Sequence, residues 1–170
     1  MEDLHSKVIY KLVGLMKDLR GFKEGMKRVV VAVDGSESSL RAVSYALSLR
    51  KLSSQIQITA LYVGPSCYDL FPEPGVCAWI QQKELDKEIE TRANNVFEKI
   101  DKIFGQKSSN IQKAVARGSA ASAICKFARE GGYDLVIIGS RGYGDESSSL
   151  LGGVSHKVLH LCQCPVTVVK

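Results

Sequence analysis

The chain has 170 residues, 45% hydrophobic and 24% charged, enough for one domain with a packed core and too few for two ordinary ones. Its net charge of +5 comes from 23 Lys and Arg spread among 18 Asp and Glu, and no basic run interleaved with aromatics marks a nucleic-acid-binding face. No apolar stretch approaches the roughly 20 residues of a membrane span, and five cysteines, an odd number with no Asn-x-Ser/Thr sequon beside them, make a reducing, cytoplasmic setting the expectation.

Residues 1–26 form the first predicted element. Leu4, Val8, Leu12, Leu15 and Leu19 recur at helical spacing with lysines between them, which predicts an amphipathic helical extension. Lys7, Lys11 and Lys17 break up any signal-peptide stretch, and the polar face is too mildly basic to favour membrane attachment. Gly21 and Gly25 make a joint, and the domain proper is expected over 27–170, with Met26 as an alternative start.

From there strands and helices alternate. Residues 29–33 are a continuous apolar run, the pattern of a parallel strand covered on both faces. A turn at Asp34, Gly35 and Ser36 opens a helix over 38–50, and 56–63 is the second strand. Pro65, Pro72, Pro74 and Gly75 make 64–79 irregular, a connection more than a lid. A long helix follows over 81–104, with Leu85, Ile89, Ala93, Val96, Ile100 and Ile103 as its apolar stripe. Residues 111–116 are a weaker third strand, and 119–129 a helix ended by Gly131 and Gly132. The fourth strand is 135–138, and a helix over 151–161 precedes Pro165 and a fifth strand over 166–169. Five strands joined by four helical crossovers predict an α/β domain: an open parallel sheet with helices on both faces. Cys162 and Cys164 form Cys-x-Cys without a second pair at zinc spacing, so the cysteines read as structural or incidental thiols.

Ligands in such sheets sit beyond the carboxyl ends of the strands, where the strand order reverses. With order 3-2-1-4-5 that point lies between the turns leaving strands one and four. The fourth-strand turn carries Gly139, Gly142, Gly144, Gly152 and Gly153, with Arg141 and three serines at 147–149. Glycines can take conformations closed to other residues, and amides at a helix start favour an anion, so the turn reads as a phosphate cradle. Asp34 has two readings from spacing alone: a helix N-cap in a capping box with Glu37, or a carboxylate accepting hydrogen bonds from a base or sugar. There is no Gly-x4-Gly-Lys-Ser/Thr, no dinucleotide fingerprint after the first strand and no Gly-x-Ser-x-Gly elbow. Ser155 and His156 are helix neighbours pointing about 100° apart, which argues against a nucleophile and its base. His156 and His160 lack further ligands for a metal.

The run 29–33 with Asp34, Gly35 and Ser36, the stretch 134–142, and the closing stretches 151–158 and 164–169 resemble the universal stress protein family over about 27–170. The spacing Gly139-x2-Gly142-x9-Gly152 is similar to the motif of its ATP-binding branch. The resemblance implies a Rossmann-like fold and an adenine nucleotide (ATP, ADP or AMP) as ligand, with Mg2+ as a companion of ATP. It implies that Asp34 and Val63 contact the adenine end, with Ala32 near the base. Ile138, Gly139, Arg141, Gly142, Gly152, Gly153, Val154 and Ser155 would surround the ribose and phosphates. It also implies a homodimer through the last strand, which would leave an apolar edge if unpaired. Where the family motif has Ser or Thr after the last glycine, this chain has Gly153; losing that hydroxyl would cost about 1.5–3 kcal/mol of phosphate binding.

The expected role is therefore nucleotide binding in stress response or signalling, acting through a conformational or partner change. The alternatives are a slow ATPase of the same fold and an interaction module whose site has decayed. No evident general base favours the ATPase.

Overall fold

A computed structural model describes residues 26–70, 82–142 and 151–170. The expected helical extension, all but the first residues of the 64–79 connection, and Gly144 with the serines at 147–149 lie outside the described residues. The elements are β1 (Arg28–Ala32), α1 (Glu37–Leu52), β2 (Gln57–Gly64), the single turn α2 (Cys67–Leu70), α3 (Gln82–Phe104), β3 (Ile111–Arg117), α4 (Ala120–Glu130), β4 (Leu135–Gly139), α5 (Gly153–Leu161) and β5 (Val166–Val169). The strands pair in parallel in the order β3-β2-β1-β4-β5. The order is the one the sequence predicts, and so are the elements, with bounds shifted by no more than two residues, except for α2, a single helical turn inside the stretch read as irregular.

The apolar runs follow from the two covered faces. Along β1, Val29 and Val31 point into a core shared with Ala42, Val43 and Ala46 of α1 and Ala93, Phe97 and Ile100 of α3. Val30 and Ala32 point the other way, into a core shared with Ala121, Ile124 and Ala128 of α4 and Val158 of α5. A strand sandwiched in this way has no face left for polar side chains, hence its composition. β3 is at the sheet's edge, with Gln112, Lys113, Val115 and Arg117 exposed, so its weaker pattern reflects its position.

The helix ends are equally local. Gly132 adopts φ +61°, and its N–H donates to Arg129 O at 3.2 Å while Tyr133 N–H donates to Ala128 O at 2.9 Å, closing α4 and turning the chain into β4.

The cysteines correct the sequence expectation. Cys125 of α4 and Cys162 at the end of α5 are disulfide-bonded, with Cα atoms 4.9 Å apart and 37 residues between them in sequence. Helices α4 and α5 pack on the same sheet face, which brings together two cysteines that no sequence spacing relates. Cys67 and Cys164 are free thiols, and burial pushes the Cys164 thiol pKa up.

Ile137, fully buried in β4 between β1 and β5, tests the core. Ile137→Ala should lower the unfolding free energy in a urea titration by about 2–5 kcal/mol.

Candidate functional site

The strand order reverses at β1 and β4, and the turns leaving these strands are stitched together. Asp34 does not cap α1. The N-cap is Ser36, whose side chain accepts from Ser39 N–H, while Asp34 Oδ1 accepts from Ser36 N–H at 2.9 Å and Ser36 Oγ–H at 2.6 Å. The capping-box reading with Glu37 is thus replaced by an Asx-type turn, because the helix begins two residues later than that reading requires. Gly35, at φ +83°, takes the left-handed turn, and its carbonyl accepts from Lys99 Nζ of α3 at 2.8 Å.

The fourth-strand turn lies directly on this one. Ser38 Oγ donates to Arg141 O. A Cβ on Gly139 would stand 2.5 Å from Ser38 Oγ and 2.7 Å from the Ser38 carbonyl carbon. A Cβ on Gly142 would stand 2.6 Å from Asp34 Oδ2. This corrects the reason given for the glycines. Gly139, Gly142, Gly152 and Gly153 are absent from the positive-φ glycines of the described residues, which are Gly35, Gly105, Gly118 and Gly132. Gly139 and Gly142 are glycine because two turns meet there without room for a side chain. Gly153 differs again: a Cβ there would meet nothing within 4 Å.

Ser140 and Ser155 fix the far side of the turn. Ser140 N–H donates to Val169 O and Gly152 N–H donates to Ser140 O, both at 2.7 Å. Ser155, 2% exposed, directs its hydroxyl toward Ser140 O and Gly152 O at 2.9 Å each. Its one proton is thus engaged with backbone carbonyls, so it cannot stand in for the donor missing at Gly153. The α5 N-cap, Gly152, gives no side-chain hydrogen bond to the helix start. That leaves its leading amides for another acceptor.

Between these turns lies a cavity of about 530 Å³, within the range of small-molecule sites. The residues named from sequence come together here: Ala32, Asp34, Val63, Ile138, Gly139, Arg141, Gly142, Gly152, Gly153, Val154 and Ser155 all line it. Sequence reasoning missed Val33, Ser39, Leu61, Ser119, Ala120, Ala121, Ile124 and Lys157, which also line it. Lys157 was within reach of helical spacing, since it stands one turn beyond Gly153. Ser119 to Ala121 begin the helix after β3, another strand whose carboxyl end faces this side. The lining combines apolar residues from β1, β2, β4, α4 and α5 with the positive charges of Arg141 and Lys157, and Asp34 is the carboxylate among the described lining residues. Among the described residues no group of three or more His, Cys, Asp and Glu is placed to hold a metal ion.

An open parallel sheet of order 3-2-1-4-5 with its cavity at the switch point defines the class: a doubly wound α/β protein with a ligand crevice. The chain belongs to the universal stress protein family, whose model matches residues 25–170. The universal stress protein YxiE of Bacillus subtilis is 29% identical over 146 residues, covering 84% of this chain and 98% of that protein. Among solved structures, the MJ0577 protein of Methanocaldococcus jannaschii aligns at a TM-score of 0.70 and 25% identity, covering 85% of this chain and 96% of that one. A universal stress protein family member from Arabidopsis thaliana, determined with AMP bound, aligns at a TM-score of 0.59 and 21% identity, covering 85% and 91%.

Because the Gly139 contact is with backbone as well as side chain, Gly139→Ala should force β4 and α1 apart. We expect a loss of about 1–3 kcal/mol in thermal or urea unfolding, against little change for Gly153→Ala in open space.

Proposed function

We propose that this protein binds an adenine nucleotide, ATP, ADP or AMP, in the crevice between the β1 and β4 turns. The observation that carries the reading is that the eleven residues named from the family motif line one cavity of ligand size at the switch point. The base would lie toward Ala32 and Val63, with Asp34 accepting from the base or ribose and Ile138 beside the ribose. The phosphates would lie along Gly142, Gly152, Gly153 and Val154, where the open start of α5 and the charge of Arg141 favour an anion. The AMP-bound relative from Arabidopsis supports the ligand class.

The output in this reading is a conformational or partner change in stress signalling rather than turnover. Asp34, the carboxylate at hand, already accepts two hydrogen bonds from Ser36 through Oδ1. Any Mg2+ would be carried by the phosphates of ATP. The protein would act in the cytoplasm as a homodimer, its β5 edges paired; β5 ends the sheet, and no helix of the described residues is long and apolar enough to cross a membrane.

Denaturing freshly purified full-length protein should release AMP, ADP or ATP, resolved by chromatography. An empty extract together with no calorimetric binding at millimolar ATP would overturn the reading. Gly142→Val, which drives a side chain into the Asp34 carboxylate, should weaken binding at least about tenfold while the circular dichroism spectrum stays native. Gly153→Ser adds a hydroxyl in open space and should tighten ATP about tenfold without comparable gain for adenosine. Equal gains would show that position 153 does not face phosphate.

A further inference from the structure

The Cys125–Cys162 bridge is placed where it can act on the cavity. Helix α4 lines one wall through Ala120, Ala121 and Ile124, and Ile124 adjoins Cys125 in sequence. Helix α5, packed beside α4, also lines the cavity through Gly153, Val154 and Lys157, and Cys162 is its C-cap. The loop closed by the bridge runs from 125 to 162 and so contains β4, the fourth-strand turn and all of α5. Helix α5 is held along its length. At its start, Gly152 N–H and Ser155 Oγ hold it to Ser140 O, and at its middle Val158 is buried in the core with Ile124 of α4. At its end, the covalent link holds it to α4. With that link gone, the last turn of this nine-residue helix is held to α4 by packing alone.

Cys125 and Cys162 are both partly exposed and lie at the margin of the core cluster, not sealed inside it. A buried structural disulfide would be shielded from such exchange. Cys164 lies two residues on and packs against the same apolar cluster. Burial raises its thiol pKa and so disfavours the thiolate, the attacking form in exchange.

We propose that Cys125 and Cys162 form a reversible redox site that braces the cavity, so that oxidation tightens and reduction loosens the hold on a ligand in the crevice that α4 and α5 both line. The exchange partner is a low-molecular-weight thiol–disulfide couple. In oxidation the two protein thiols give two electrons and two protons to a small disulfide, which leaves as two small thiols. Reduction reverses each step, through a mixed disulfide at one of the two sulfurs. The affinity part of this proposal rests on the nucleotide reading above; the bracing of α5 does not.

The test uses the full-length protein prepared with oxidised glutathione or with dithiothreitol. Peptide mass mapping should find Cys125 linked to Cys162 in the first sample and both as thiols in the second. AMP should bind the oxidised form at least fivefold more tightly by calorimetry. In nucleotide-free protein, backbone amides at 152–162 should exchange with deuterium several-fold faster after reduction. The double variant Cys125→Ala, Cys162→Ala should bind AMP as the reduced protein does and ignore dithiothreitol. If the peptides never link, or if exchange and affinity are the same in both forms, the proposal is overturned while AMP binding stands. If AMP binds neither form yet reduction still quickens exchange at 152–162, the nucleotide reading fails and the redox brace survives.

Discussion

Everything at the crevice depends on how closely the turn after β1 approaches the turn after β4. Parallel strands next to each other leave the sheet about 4.8 Å apart, and here their turns run in opposite directions, toward α1 on one face and the α5 side on the other. The gap between them opens the cavity, yet its floor has to be tight. Gly139 against Ser38, Gly142 against Asp34 Oδ2, and Ser38 Oγ to Arg141 O make that floor. A side chain at either glycine would part the two turns and displace Asp34, whose other oxygen holds the Ser36 turn.

The same contact explains how few groups carry the site's chemistry. Most of the polar apparatus is backbone: the open start of α5 and the turn around Gly142. Side chains that look available are committed. Ser155 is consumed in fastening α5 to the end of β4, and Ser36 is shared between Asp34 and the α1 N-cap. What faces an anion in the proposed arrangement is amide donors at the start of α5 and the positive charge that Arg141 and Lys157 bring to the lining. At Gly153 the hydroxyl of the family motif is missing, and the space it would occupy stays open. A site of this make-up favours holding a nucleotide over cleaving one.

Much of this was legible in the residues. Strands buried on both faces must be apolar throughout, so β1 and β4 stood out, and the alternation of strand and helix left few topologies to consider. The switch-point rule then named the two turns that border the cavity. Other features were hidden because they depend on distances across the fold. Gly139 and Gly142 were recognisable as special, but the cause is a neighbour more than 100 residues away, not backbone handedness. Asp34 looked like a cap until Ser36 was seen to begin the helix. The pairing of Cys125 with Cys162 comes from two helices lying side by side, and the visible Cys-x-Cys pointed instead at Cys164. Lys157 and the start of α4 were passed over because attention stayed on the glycines.

The central claim is one of place: an adenine nucleotide held between these two turns. Amide chemical-shift mapping of isotope-labelled protein titrated with AMP tests it most directly. The account predicts saturable shifts concentrated at Asp34, Gly139, Arg141, Gly142 and residues 152–155, with small changes on α3 and at the β3 edge. Saturable shifts centred elsewhere, with these amides unmoved, would contradict it.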